Sequence, residues 1–361
     1  MFPYYLLILF PFYLRVVETM LQPNRGNILL KKRYNSSIIL FFVIWFVLLS
    51  LRHISCGVDL WNYQYHFLTV ERLDFFSALN YTGVEQLYWG FNWIIAQIYP
   101  DFRLFIVVMA FLCAGITGWF YWKESEIPIL TVLLFVTNAC YSMFYSGMRQ
   151  SVAMLFAIPA YYLVKEKKFL PFILIIFLAT YFHKSAAVLF LLYPIFHIPL
   201  YSKYFVFVLL FVASFFLLKV QIFNMVVPFL ADKWAESVAV ETNGYSIWVF
   251  FIMLLVFSFI VCDEKKMTPD VLGVRNVLVL MTLIQGFAPI HTLAMRMNYY
   301  FIMLFPIIIP KLINRPKDGF ENVAQYTKWS LSVFLFLFYL FIACNVNRNG
   351  VHIYPYQFLW E

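Results

Sequence analysis

Only 12% of the residues in this 361-residue chain are charged, so a charge set between apolar runs needs a reason. Arg149 and Gln150 sit between two such runs in "YSGMRQSVAMLF"; His183 and Lys184 lie in "ATYFHKSAAVLF", and Arg296 and Tyr299 in "TLAMRMNYYF". Arg149, Lys184 and Arg296 each fall at the expected start of an apolar helix. A helix N-terminus already carries about half a positive charge, so a cation there is unfavourable by roughly a few tenths of a kcal/mol. Three such placements make sense if an anion lies between them. Free N–H groups at helix starts bind phosphate, and Arg adds bidentate donors. Gln150 supplies a neutral donor, and Ser146 with Gly147 suit the cap and turn that begin the helix. Proton-transfer groups accompany the cations. Asp59 in "GVDLWNYQYHF" and His183 are the leading candidates for a general base, with Glu85 third. Neighbouring Lys184 favours a neutral His183 and tips the choice slightly toward it. Arg52 is a fourth candidate cation, and Tyr299 belongs to the same set. Tyr63, Trp61, Trp89 and the tail tyrosines Tyr354 and Tyr356 add flat aromatic faces. Each residue also has a plainer role open to it. A cation at a span end often only snorkels, Asp59 can pair with Arg52, Glu85 can balance Arg296, and aromatics form interfacial belts.

The elements that must position these groups are membrane helices. The chain is 63% hydrophobic with a mean hydropathy of +0.80, where soluble domains are nearer half apolar. Apolar runs long enough to cross a bilayer recur from end to end. The fold expected is an all-α polytopic integral membrane protein, one domain over residues 1–361. Spans are expected near 3–21, 37–51, 102–122, 128–146, 150–164, 168–183, 185–199, 204–221, 246–262, 272–290, 297–310 and 329–343. The first residues have no basic leader or cleavage site and read as a span rather than a signal peptide.

Basic clusters mark the cytoplasmic side: Arg25 with "KKR" at 31–33, Lys123, "KEKK" at 165–168, Lys203, "DEKK" with Arg275, and Lys311 to Lys328. Keeping both "KKR" and "KEKK" inside forces residues 52–83 and Arg149 to share the outer side. Three apolar pieces separate them, one too many or one too few. The short piece 84–99, beside Glu85 and carrying Asn92 and Gln97, is therefore expected to be re-entrant or interfacial. About twelve transmembrane helices result, with both termini outside and outer loops at 52–100 and 222–245.

Several chemistries are disfavoured. The net charge of +8 reflects membrane orientation rather than nucleic-acid binding. There is no GxGxxG, P-loop, HExxH or DxD. Asp59, Asp74, Asp232 and Glu236 form no tight carboxylate pair for a divalent metal, and the five Cys show no metal spacing. No cofactor and no metal are expected. Cys56 and Cys344 fall in or near outer segments, where a disulfide could join them.

"GMRQSVA", followed after a hydrophobic helix and "KEKK" by "FHKSA", resembles the EpsG family of polysaccharide polymerases. That family is grouped with the Wzy-type polymerases of O-antigen (lipopolysaccharide), capsule and exopolysaccharide. The upstream Arg52, Gly57, Asp59 and Tyr63, the Glu85 segment, "RMNYY" and the closing "YPY" also resemble its pattern, so the likeness covers nearly the whole chain in order. The resemblance implies a multi-pass glycosyltransferase of the bacterial inner (cytoplasmic) membrane, GT-C-like in architecture, with its active site facing the periplasm. It would move a growing glycan from undecaprenyl diphosphate to the non-reducing sugar of another lipid-linked repeat unit. Arg149, Lys184, Arg296 and Arg52 would hold the diphosphate leaving group. Its partners would be the undecaprenyl-diphosphate-linked donor and acceptor among membrane lipids, with a flippase and a Wzz-like chain-length regulator in the same pathway. Two departures stand out: Met148 where an aliphatic Ile or Leu is more usual, and "GVD" for the commoner "GTD". A lipid-linked oligosaccharide flippase would use the same cationic mouth but shows internal repeats, absent here. An O-antigen ligase and a membrane acyltransferase are further alternatives.

Overall fold

The computed structural model describes residues 2–20, 35–230, 245–344 and 351–361, which fold as helices with no strand among them. Helices α1 (Phe2–Met20) and α2 (Ser36–Leu51) lead into a segment of three short helices, α3 (Leu60–Glu71), α4 (Phe75–Leu79) and α5 (Gln86–Ile98). Next come α6 (Phe102–Glu124), α7 (Pro128–Thr137), α8 (Ala139–Ser146), α9 (Met148–Leu155), α10 (Ala157–Lys165) and α11 (Phe169–Phe182). A 3₁₀ segment, Lys184–Leu191, precedes α12 (Leu192–His197), α13 (Phe205–Leu217), α14 (Lys219–Leu230) and α15 (Ser246–Ile260). The chain closes with α16 (Pro269–Gln285), α17 (Thr292–Ile302), α18 (Phe305–Ile313) and α19 (Glu321–Cys344). Arg25 and "KKR", residues 231–244 of the expected 222–245 loop, and the Cys344 side chain with its suggested disulfide lie outside the described residues.

Among the described residues, α6 is long and apolar enough to cross a membrane alone, and up to four spans result if each bent pair counts as one. Several expected spans are broken, each at an identifiable residue. The α7–α8 pair bends by 57° at Asn138, whose side chain accepts from Tyr141 N (3.1 Å) and donates to the Leu134 carbonyl (3.0 Å), ending one helix and capping the next. The α17–α18 pair bends by 53° just before Pro306, which has no N–H to continue the ladder. Expected span 150–164 becomes α9 and α10.

Two apolar cores result. The larger joins α2, α6 and α7 through Trp45, Phe42, Phe135 and Tyr121, and α1 adds Tyr4, Leu7 and Ile8. The smaller lies under α3 and α5 and includes Tyr63, Phe67, Tyr88, Trp89, Phe105 and Met148. Helix α5, the short piece expected to be re-entrant, has 13 residues and is about 20 Å long, less than the ~30 Å hydrocarbon core. It packs on α3, α4, α6 and α11.

Charges gather at the far end of α6, about 33 Å from its start. There Lys311 Nζ lies 2.5 Å from Glu124 Oε2, Arg315 Nη2 is 2.9 Å from Glu126 Oε1, and Lys165 Nζ is 3.2 Å from Asp270 Oδ2. Lys165 of "KEKK" and the Lys311 and Arg315 side chains thus meet carboxylates at this end.

Candidate active site

The opposite end holds a polar cavity of about 310 Å³. One wall is set by Gly57, at φ +132°, where a Cβ would lie 2.2 Å from the Tyr145 carbonyl oxygen. Only glycine lets this loop press onto the end of α8. Two residues on, Asp59 N donates to Ser146 Oγ (3.3 Å), and that hydroxyl donates to Asp59 Oδ2 (3.1 Å). Asp59 then begins a stripe on α3. Asn62, Tyr63 and His66 follow at helical spacing, and all four line the cavity. Thr82 and Trp89 contribute a second wall, their side chains joined by Trp89 Nε1 donating to Thr82 Oγ1 (2.7 Å).

Helix α9 supplies Arg149 and Gln150 directly after its N-cap, Gly147. Ser146, expected to help cap it, instead ends α8 and holds Asp59. Arg149 Nη1 donates to Glu85 Oε2 (2.7 Å), with its guanidinium over the rings of Tyr63 (5.9 Å) and Trp89 (5.8 Å). Its Nε meets no hydrogen-bond partner among the described residues. Gln150 Nε2 donates to the Arg296 carbonyl (2.7 Å), tying α9 to α17, and Gln150 Oε1 has no partner among the described residues. Arg296 is exposed at the cavity, with no carboxylate paired to it among the described residues. His183 ends α11, and its Nδ1 lies 2.5 Å from Glu85 Oε1.

Glu85 is the hinge of this arrangement. It adopts φ +60° at the start of α5, buried to 6% exposure, with one oxygen on His183 and the other on Arg149. Burial alone would raise its carboxyl; the hydrogen bond from His183 and the charge and hydrogen bond of Arg149 outweigh this and hold it below the ordinary value. His66, hydrogen-bonded to Tyr81 (2.9 Å), is lowered by burial and by Arg149 and stays neutral near pH 7.

The structure therefore gathers Asp59, Tyr63, Arg149, Gln150, His183 and Arg296 around one cavity, with Glu85 behind it. Glu85 does not pair with Arg296; its two oxygens meet Arg149 and His183. Asp59 pairs with Ser146 rather than with Arg52. Arg52 is buried elsewhere, its guanidinium 5.4 Å from the Tyr145 ring and bonded to the Phe144 carbonyl (3.4 Å). Lys184 is exposed outside the lining, so the partner that orients His183 is Glu85. Tyr299 is buried on α17 against a different cavity. Tyr354 and Tyr356 pack with Tyr4 (4.6 and 5.6 Å), and Tyr356 Oη donates to the Leu48 carbonyl (2.8 Å), so the tail locks α1 to α2. Asn62, His66 and Thr82 were not anticipated. The run Asp59, Asn62, Tyr63, His66 at helical spacing carries the signal for the first two.

The family model for EpsG matches residues 36–358. No curated protein and no solved structure matches the chain. A match over nearly the whole length, on a helical scaffold rich in apolar segments, places this membrane protein in the EpsG family of Wzy-like polysaccharide polymerases.

Proposed function

We propose that the cavity binds the diphosphate of an undecaprenyl-diphosphate-linked glycan and transfers that glycan to a second lipid-linked repeat unit. The reaction takes place at the periplasmic face of the inner membrane. The acceptor hydroxyl oxygen forms a bond to C1 of the donor sugar. The bond from C1 to the phosphate oxygen breaks, and its electron pair leaves with the diphosphate. Arg149 and Arg296 face the charge that develops there, so no metal ion is needed. The hydroxyl proton passes to His183 Nε2, because Nδ1 is turned toward Glu85. Glu85 orients the imidazole and Arg149 together, the role a carboxylate plays behind a catalytic histidine. Asp59, with Oδ2 on Ser146, keeps Oδ1 for a hydroxyl of the acceptor sugar. Trp89 and Tyr63 bound the space where sugar rings lie.

The observation that carries this reading is the chain His183–Glu85–Arg149, with Arg296 facing the same cavity. In a polymer-producing host, Arg149→Ala, His183→Ala, Asp59→Ala and Arg296→Ala each abolish long chains while the protein still reaches the membrane. Normal polymer from Arg149→Ala combined with Arg296→Ala refutes the diphosphate assignment.

A further inference from the structure

A large apolar groove runs along the membrane part of the fold between α6 and α9–α10, with a volume of about 880 Å³. Its α9–α10 wall includes Val152, Phe156, Pro159 and Leu163. Counting back from these at the same 3-and-4 spacing gives Arg149. The cation of the polar cavity therefore shares a face of α9 with Val152, and Phe156, Pro159 and Leu163 continue that wall across the α9–α10 junction. Phe156 also packs on Phe182 (5.5 Å), the residue before His183, so the groove's upper wall adjoins both ends of the Glu85 pair. On the facing helix, Gly115 and Ile116 line the groove, and a Cβ added at Gly115 would meet no atom within 4 Å. A molecule matching both features has an anionic head and one long apolar tail.

We propose that this groove seats the hydrocarbon chain of the donor lipid, with its head on Arg149. This rests on the diphosphate reading of the cavity and adds the place and direction of the tail. From Val152 to Leu163 the stripe covers about 16 Å, so the groove orders the tail segment nearest the head and leaves the rest in the bilayer. Lipid tails outside are as apolar as the groove, so it acts through close packing and orientation rather than through removal of water.

The test uses the full chain in nanodiscs and three probes: undecaprenyl diphosphate, farnesyl diphosphate and inorganic diphosphate. Gly115→Trp and Ile116→Trp fill the groove, Gly115→Ala controls for the loss of glycine, and Arg149→Ala removes the head contact. Filling the groove weakens undecaprenyl diphosphate and farnesyl diphosphate alike, about tenfold, because the farnesyl chain already spans the ordered segment, and leaves inorganic diphosphate unchanged. Gly115→Ala binds all three as the parent does. If both Trp variants, with melting temperatures like the parent's, bind undecaprenyl diphosphate normally, the groove holds only bulk lipid and the proposal is overturned. If Arg149→Ala leaves all three affinities unchanged, the diphosphate reading beneath it fails instead.

Discussion

Glu85→Gln separates a catalytic role for His183 from a merely structural one. Glu85 is 5% exposed in its side chain, and each of its oxygens meets one donor, Arg149 at 2.7 Å and His183 at 2.5 Å. Gln has nearly the same shape but offers one oxygen and one NH₂. Arg149 can only donate, so the amide oxygen turns to it and the NH₂ faces His183 Nδ1. To accept from that NH₂, Nδ1 must give up its proton, which then sits on Nε2, facing the cavity. An imidazole in that tautomer cannot take the acceptor's proton. Locking the wrong tautomer costs about 10³–10⁴ in kcat. Weakening the Arg149 contact from charged to neutral adds about 1 kcal/mol, roughly fivefold. The assay is release of lipid diphosphate by purified protein in liposomes supplied with a synthetic lipid-linked repeat unit, resolved into kcat and KM. A drop in kcat of at least about a thousandfold, with KM nearly constant and an unchanged melting temperature, supports the assignment. A loss under about tenfold, the size expected from Arg149 alone, removes His183 as the base and leaves Asp59.

Other consequences follow from the same geometry. Gly57→Ala places a Cβ 2.2 Å from the Tyr145 oxygen at φ +132°; it destabilises by about 1–3 kcal/mol or more and displaces Asp59, so thermal melting and polymer yield fall together. Glu124→Ala strands the buried Lys311 ammonium and costs about 3–5 kcal/mol in denaturant unfolding, whereas Glu124→Leu with Lys311→Met stays within about 1–2 kcal/mol of the parent. Glu85 has a folded-state pKa below its unfolded value, so its contribution is complete above about pH 4.3 and is lost as pH falls through the folded value. Unfolding midpoints recorded from pH 7 down to 3 show that acid loss for the parent and a flatter profile for Glu85→Gln.

Much of the scaffold was legible because apolar stretches between basic clusters announce helices whatever their tertiary setting. The breaks were less legible. Asn138 looks like one polar residue in an apolar run, and only the structure shows it capping a new helix. Arg149, His183, Asp59 and Arg296, which share one cavity, stand out in the sequence because a charge or a polar ring inside such a run is costly. Arg52, Lys184, Tyr299, Tyr354 and Tyr356 stand out by the same rule, yet they are placed elsewhere. Arg52 lies beside Tyr145, and Tyr354 and Tyr356 pack between α1 and α2, away from the cavity. Sequence spacing also could not say which carboxylate met which cation. That Glu85 chooses Arg149 and His183 over Arg296 depends on a left-handed residue at the start of α5, which no local pattern in "GVEQLYWGFN" encodes.

Transfer with a lipid diphosphate as leaving group is measured most directly by its stoichiometry. Purified protein in liposomes, given one synthetic undecaprenyl-diphosphate-linked repeat unit, is expected to release one lipid diphosphate for each glycosidic bond that lengthens the chain, with Arg149→Ala and Arg296→Ala silencing both signals. Chain growth without that release, or release without growth, contradicts it.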